Sequence, residues 1–135
     1  HLAGVLSSED LRAGVEALRR DHRYLQIGKG RPRPHEAYYQ TSGYYYFYGH
    51  HYAAEAIALL PDPPRRELND WMLEVIVGVQ NPDGSWLDFP MYGYGKPYGT
   101  AFALLTLERC LATASEPSAG TADADDSRRS TERRR

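Results

Sequence analysis

The 135-residue chain reads as an all-α protein built from helical hairpins. Three observations point there. Apolar residues recur three and four positions apart along separate stretches, the spacing of one helix face. No run alternates apolar and polar residues long enough to argue for a sheet. Glycines and aromatics recur at an interval of about 50 residues, the length of a helix–loop–helix unit.

The first helix opens at Ser7-Ser-Glu-Asp10, a capping-box-like start, and Leu11, Val15 and Leu18 form its apolar stripe. The second runs from Tyr45 to Leu60 behind Gly43-Tyr44. Asp62-Pro63-Pro64 then signals a new N-terminus, because a proline fits the first helical turn, where its missing N–H has no bond to lose. Leu68, Trp71, Met72, Val75, Ile76 and Val79 make the broader apolar face of the third helix, over Leu68 to Val79. Pro82 cannot continue a helix, and Asp83-Gly84 supplies a tight turn, since Gly accepts positive φ. The fourth helix is expected from Tyr98 to Leu111. Across the repeat, Gly43-Tyr44 matches Gly93-Tyr94, and Tyr48-Gly49-x-x-Tyr52-Ala53 matches Tyr98-Gly99-x-x-Phe102-Ala103.

Two units of this kind leave half a core uncovered, and stacked hairpins need neighbours on both sides. The chain therefore reads as the C-terminal section of a longer protein. Residues 1–112 form the two hairpin repeats, and 113–135 form a disordered polar tail. Apart from Pro117 that tail has no apolar side chain larger than Ala, so it cannot bury enough surface to offset its ordering entropy.

Composition removes several function classes. The net charge of −2 gives no electrostatic pull towards nucleic acid. No apolar run reaches the length of a membrane span. One cysteine, Cys110, excludes an internal disulfide framework and reads as core. No Ser-His-Asp set, glycine-rich phosphate loop or Cys-x-x-Cys pair is present, and no cofactor is implied.

The loop Gln80-Asn-Pro-Asp-Gly-Ser-Trp86 carries a Q-x-x-x-G-x-W pattern. It resembles the repeat signature of the prenyltransferase and squalene-hopene (terpene) cyclase superfamily. The resemblance spans Leu11 to Leu111 and is strongest from Gln80 to Leu107. It implies an α/α toroid in which Gln80, Gly84 and Trp86 are structural, the Gln bonding orphan backbone groups at a helix end and the Trp covering them. The full cyclase motif opens with a basic, a small and an aromatic residue. Here Asp70-Trp-Met-Leu-Glu-Val-Ile76 stands in that place, and only Ile76 fits.

Seven of the eleven tyrosines lie between Tyr38 and Tyr52. Toroid enzymes line their central cavity from the inner helices. The resemblance therefore implies that Tyr44, Tyr48, Tyr52, Tyr98 and Phe102 bind an isoprenoid or other apolar ligand. Aromatic faces attract cations, which suits carbocation chemistry. Rings also stack on sugars, so a carbohydrate-active toroid is the alternative. A non-catalytic protein-binding scaffold is the third.

A catalytic acid is expected outside this section. Asp123-Ala-Asp-Asp126 matches the class II cyclase acid motif D-x-D-D in letters, but a floating acidic stretch lacks the dry pocket a general acid needs. Asp88, in the loop before the fourth helix, is the weak catalytic candidate, as acid, base or cap. His51 and Glu55 share a helix face and are weak metal candidates, but no third ligand accompanies them, so no metal is assigned. Gly99 stands where the zinc histidine of a protein prenyltransferase would be, which argues against protein prenylation.

Overall fold

The computed structural model describes residues 4–29, 40–89, 93 and 95–115. Tyr94 and the Asp123–Asp126 motif lie outside them. The described residues form four α-helices and one 3-10 turn, with no strand among them. The helices are α1 (Ser8–Lys29), α2 (Tyr46–Ala58), α3 (Pro64–Gly78) and α4 (Gly95–Ser115), and the 3-10 turn Gln40–Tyr45 leads into α2. The all-α expectation is met.

Helix α1 starts as its sequence predicts. The Asp10 N–H donates to Ser7 Oγ at 3.1 Å, and the Ser7 N–H donates to an Asp10 carboxylate oxygen at 2.8 Å. This reciprocal pair satisfies two donors that the helix cannot. The stripe is longer than Leu11, Val15 and Leu18. It continues through His22 and Leu25, with Val15 and His22 buried. At the far end the 3-10 turn crosses α1 so closely that a methyl group on Gly43 would stand 2.8 Å from the Gly28 carbonyl oxygen. No other residue fits there without a backbone shift.

Helix α2 is the centre of the bundle and packs against α1, α3 and α4. Tyr46, Phe47, Ala54 and Ile57 are its buried core face. Leu68, Met72 and Ile76 of α3 close the core from the other side. Asn69 of α3 donates to the Cys110 carbonyl of α4 at 3.2 Å, a bond that fixes where the two helices cross. Cys110 is buried, as expected.

Helix α4 differs from the expectation in two ways. It begins at Gly95 and runs to Ser115, so Thr113, placed by sequence in the disordered tail, is helical and buried. Its inward stripe is also made of small residues: Gly99, Ala103, Thr106, Cys110 and Thr113. A methyl group on Gly99 would lie 2.8 Å from the Trp86 carbonyl oxygen and 3.2 Å from a Phe47 ring carbon. The small stripe brings backbone against neighbour, and the large apolar residues Leu104, Leu105 and Leu111 point outward.

Candidate functional site

The Trp86 loop decides how α3 hands over to α4. Gly84 takes φ +82°, the left-handed conformation the turn reading requires. Asp83 accepts from the Ser85 N–H at 3.1 Å and pairs with Lys96 of α4 at 2.7 Å. The expected roles of Gln80 and Trp86 are exchanged. Gln80 Nε2 donates to the Gly84 carbonyl at 2.9 Å and holds the turn, not the helix end. The helix end is held by Trp86, whose indole N–H donates to the Ile76 carbonyl at 2.7 Å. That carbonyl is one of the last four of α3 and has no intrahelical partner. The Trp86 backbone N–H meets Thr100 Oγ1 at 3.1 Å, so the same residue is tied to α4.

With α4 docked this way, the outward faces of α2 and α4 lie side by side. Their rings form a continuous strip. Tyr48 and Tyr52 are one helical turn apart on α2, with ring centroids 4.7 Å apart. Tyr98 and Phe102 repeat that spacing on α4 at 4.9 Å. Tyr48 meets Phe102 across the seam at 5.7 Å, tilted edge to face as ring quadrupoles prefer. Tyr45 extends the strip at one end. His51 packs on Tyr52 and Phe102. The strip faces outward: Tyr48 is 43% exposed, Tyr52 55% and Tyr98 38%. Four of the five sequence-selected ring residues are thus brought together. Tyr44 is not with them; it packs against Phe89 at 4.9 Å.

His51 and Glu55 do not converge on a metal. Glu55 turns to Arg109 of α4, an ion pair at 3.3 Å without hydrogen-bond alignment. Among the described residues no three His, Cys, Asp or Glu side chains come together.

Asp88 is a buried group, not a loop residue overhanging an opening. Its side chain is 4% exposed, and Oδ2 has no hydrogen-bond partner. Its other oxygen lies against Gly95, the first residue of α4. Desolvation pushes the carboxyl up to about 6, against the pull of the Asp88 and Phe89 backbone N–H groups and the Lys29 ammonium. The Lys29 ammonium is lowered by burial, offset by Asp88. It sits 5.8 and 5.9 Å above the Tyr46 and Phe47 rings. Tyr98 is raised by burial first and by the Asp88 charge second, so this acid feels the head of the aromatic strip.

On the opposite side of α2 lies a cluster that sequence reasoning missed. His22 Nε2 meets the Tyr46 hydroxyl at 3.0 Å. His50 Nδ1 donates to the Tyr46 carbonyl at 2.6 Å, which leaves Nε2 as the lone-pair nitrogen, buried and unpartnered. His22 stands edge-on to His50 at 5.1 Å and to Trp71 at 5.6 Å. Three helices meet through these rings. Burial holds His50 down to about 4 and lowers His22 as well, so both are neutral at pH 7. The signal for His22 and Lys29 was present: both continue the α1 stripe, at the positions after Leu18 and Leu25.

No family model matches the chain, and comparison with curated proteins and with solved structures gives no match.

Proposed function

We propose that this chain is a section of an α/α toroid of the prenyltransferase and terpene-cyclase type. In that reading α2 and α4 are inner helices, and their aromatic strip is one wall of a site for an isoprenoid or similar apolar ligand. The observation that carries it is the strip itself. Rings from two helices touch across a seam and leave their outer faces open, where covering each half-exposed ring would contribute on the order of 1 kcal/mol. A branched hydrocarbon fits ring faces without needing hydrogen bonds. Any cationic centre along it gains about 0.5–2 kcal/mol per ring. Beside the strip, Glu55 of α2 and Arg109 of α4 neutralise each other across the seam.

One observation favours a second reading. Tyr48, Tyr52 and Tyr98 bring phenol hydroxyls as well as ring faces, the combination that binds sugars in a carbohydrate-active toroid.

Titration with farnesol, and in parallel with a linear glucan oligosaccharide, followed by ring-proton NMR shifts, separates the two. Farnesol is expected to shift the Tyr48, Tyr52, Tyr98 and Phe102 signals. Tyr52→Ala and Phe102→Ala should each weaken binding by roughly tenfold, about 1.4 kcal/mol. Shifts with the glucan alone would establish the sugar reading, and shifts with neither would sink both.

A further inference from the structure

Fourteen arginines and two lysines carry the positive charge of this chain. A guanidinium keeps its proton in a protein, whereas a lysine can lose it and become a nucleophile. The two lysines stand in different surroundings. Lys96 is held in an ion pair, its Nζ 2.7 Å from an Asp83 carboxylate oxygen. Lys29, the last residue of α1, has no such partner. Among the described residues its ammonium makes neither an ion pair nor a hydrogen bond, and it rests over the Tyr46 and Phe47 rings at 5.8 and 5.9 Å. The fold holds it there. The 3-10 turn presses on the end of α1, where a methyl group on Gly43 would stand 3.2 Å from the Lys29 backbone nitrogen. Both rings are core residues of the first turn of α2.

Asp88 is the matching acid. It is buried, and Oδ2 has no hydrogen-bond partner. Amine and carboxyl are close enough for each charge to alter the other group's proton affinity, yet they form no ion pair. Burial moves both towards their neutral forms. A desolvated amine beside a carboxylic acid is a nucleophile beside a proton donor.

We infer that Lys29 is a reactive amine that captures aldehydes as imines, with Asp88 as its proton donor. Neutral Nζ attacks the carbonyl carbon. A C–N bond forms, and the carbonyl π pair moves to the oxygen, which takes the Asp88 proton. The Asp88 carboxylate then recovers a proton from the nitrogen, giving the neutral carbinolamine. Asp88 protonates the carbinolamine hydroxyl, the C–O bond breaks, and water leaves. The products are one water and an iminium on Lys29 beside the Asp88 carboxylate, with no oxidant or reductant consumed. The iminium keeps its positive charge over the Tyr46 and Phe47 ring faces. The inference stands on the Lys29–Asp88 geometry and does not depend on the toroid reading or on the ligand of the aromatic strip.

The two lysines make the test internal. The 135-residue chain is treated at pH 7 with propanal and cyanoborohydride, which reduces an imine to a stable propylamine. Peptide mapping by mass spectrometry then compares Lys29 with Lys96. Lys29 is expected to be trapped faster by roughly tenfold or more. Equal trapping, or an excess at Lys96, would overturn the inference. Lys29→Arg keeps the charge and should abolish the trapped product at that position. Asp88→Asn should slow trapping at Lys29 by roughly tenfold or more and leave Lys96 unchanged. Acetylation by an N-hydroxysuccinimide ester needs a free amine but no proton donor, so Asp88→Asn should not slow that reaction at Lys29. A variant that slows neither reaction, or both alike, would overturn the proton-donor role of Asp88.

Discussion

At Trp86 one side chain ends a helix and positions the next. Its ring is core, its indole N–H satisfies the Ile76 carbonyl, and its backbone reaches Thr100. Trp86→Phe keeps most of the ring and removes only the donor, leaving a buried carbonyl unpaired at a cost of about 1–3 kcal/mol. Urea denaturation should show that loss, with a larger one, roughly 3–5 kcal/mol, for Trp86→Ala. A Phe variant as stable as the parent would mean that the bond is not stabilising. Two other residues contribute to the acid response with opposite signs. His50 lies near 4 in the fold against 6.5 unfolded. The unfolded chain therefore binds the extra proton, and the His50 contribution, full above pH 6.5, is lost as pH falls towards 4. A gap of that size corresponds to about 3 kcal/mol. Asp88 lies near 6 against 3.8; its contribution is full below pH 3.8 and is lost as pH rises through 6. Between pH 6 and 4 the two oppose. Asp88→Asn removes the counterweight, so the urea midpoint of that variant should fall more steeply on acidification than that of the parent. Equal slopes would show that Asp88 titrates normally.

At the scale of the element, what could be read in advance was what is decided locally. The Ser7–Asp10 cap, the proline start of α3 and the Gly84 turn each depend on a few neighbouring residues, and all three are present. The run Tyr44-Tyr-Tyr-Phe-Tyr48 could not be divided by the same reasoning. Tyr46 and Phe47 are buried and Tyr45 and Tyr48 exposed because α1, α3 and α4 cover part of the α2 surface and leave the rest. Neighbouring helices, not the run itself, make that choice. The aromatic strip was therefore legible in its members but not in its outward direction. Gln80 and Trp86 were legible as a motif, yet their exchange of roles follows from which donor reaches the Ile76 carbonyl in three dimensions. Helix α4 was placed too short because its small inward stripe carries little apolar periodicity, so Thr113 looked like tail.

At the scale of the molecule, the four helices have more apolar surface than they can hide from water. Leu104 is 53% exposed and Leu111 63%, on the side of α4 away from the core. An apolar groove between α1 and α2 is open on another side. Net charge is −2, too small to keep such faces apart by repulsion. The small stripe of α4 has its own consequence for how this sequence can drift. An ordinary core is full of large side chains and is damaged chiefly by deletion. The α2–α4 seam is the reverse: Gly99 and Ala103 have little left to lose, and a carbon added at Gly99 meets the Trp86 backbone and the Phe47 ring. In a saturation scan the seam should accept Ala103→Gly and Thr106→Ala with losses of about 1 kcal/mol, near the centre of single-substitution effects. It should reject Val or Leu at Gly99, Ala103 and Thr106. A seam that tolerated growth as readily as shrinkage would show looser packing than described. Selection acting on such a surface would preserve smallness, so lineages of this chain should differ freely in the rings they display and hardly at all in the residues that have almost no side chain.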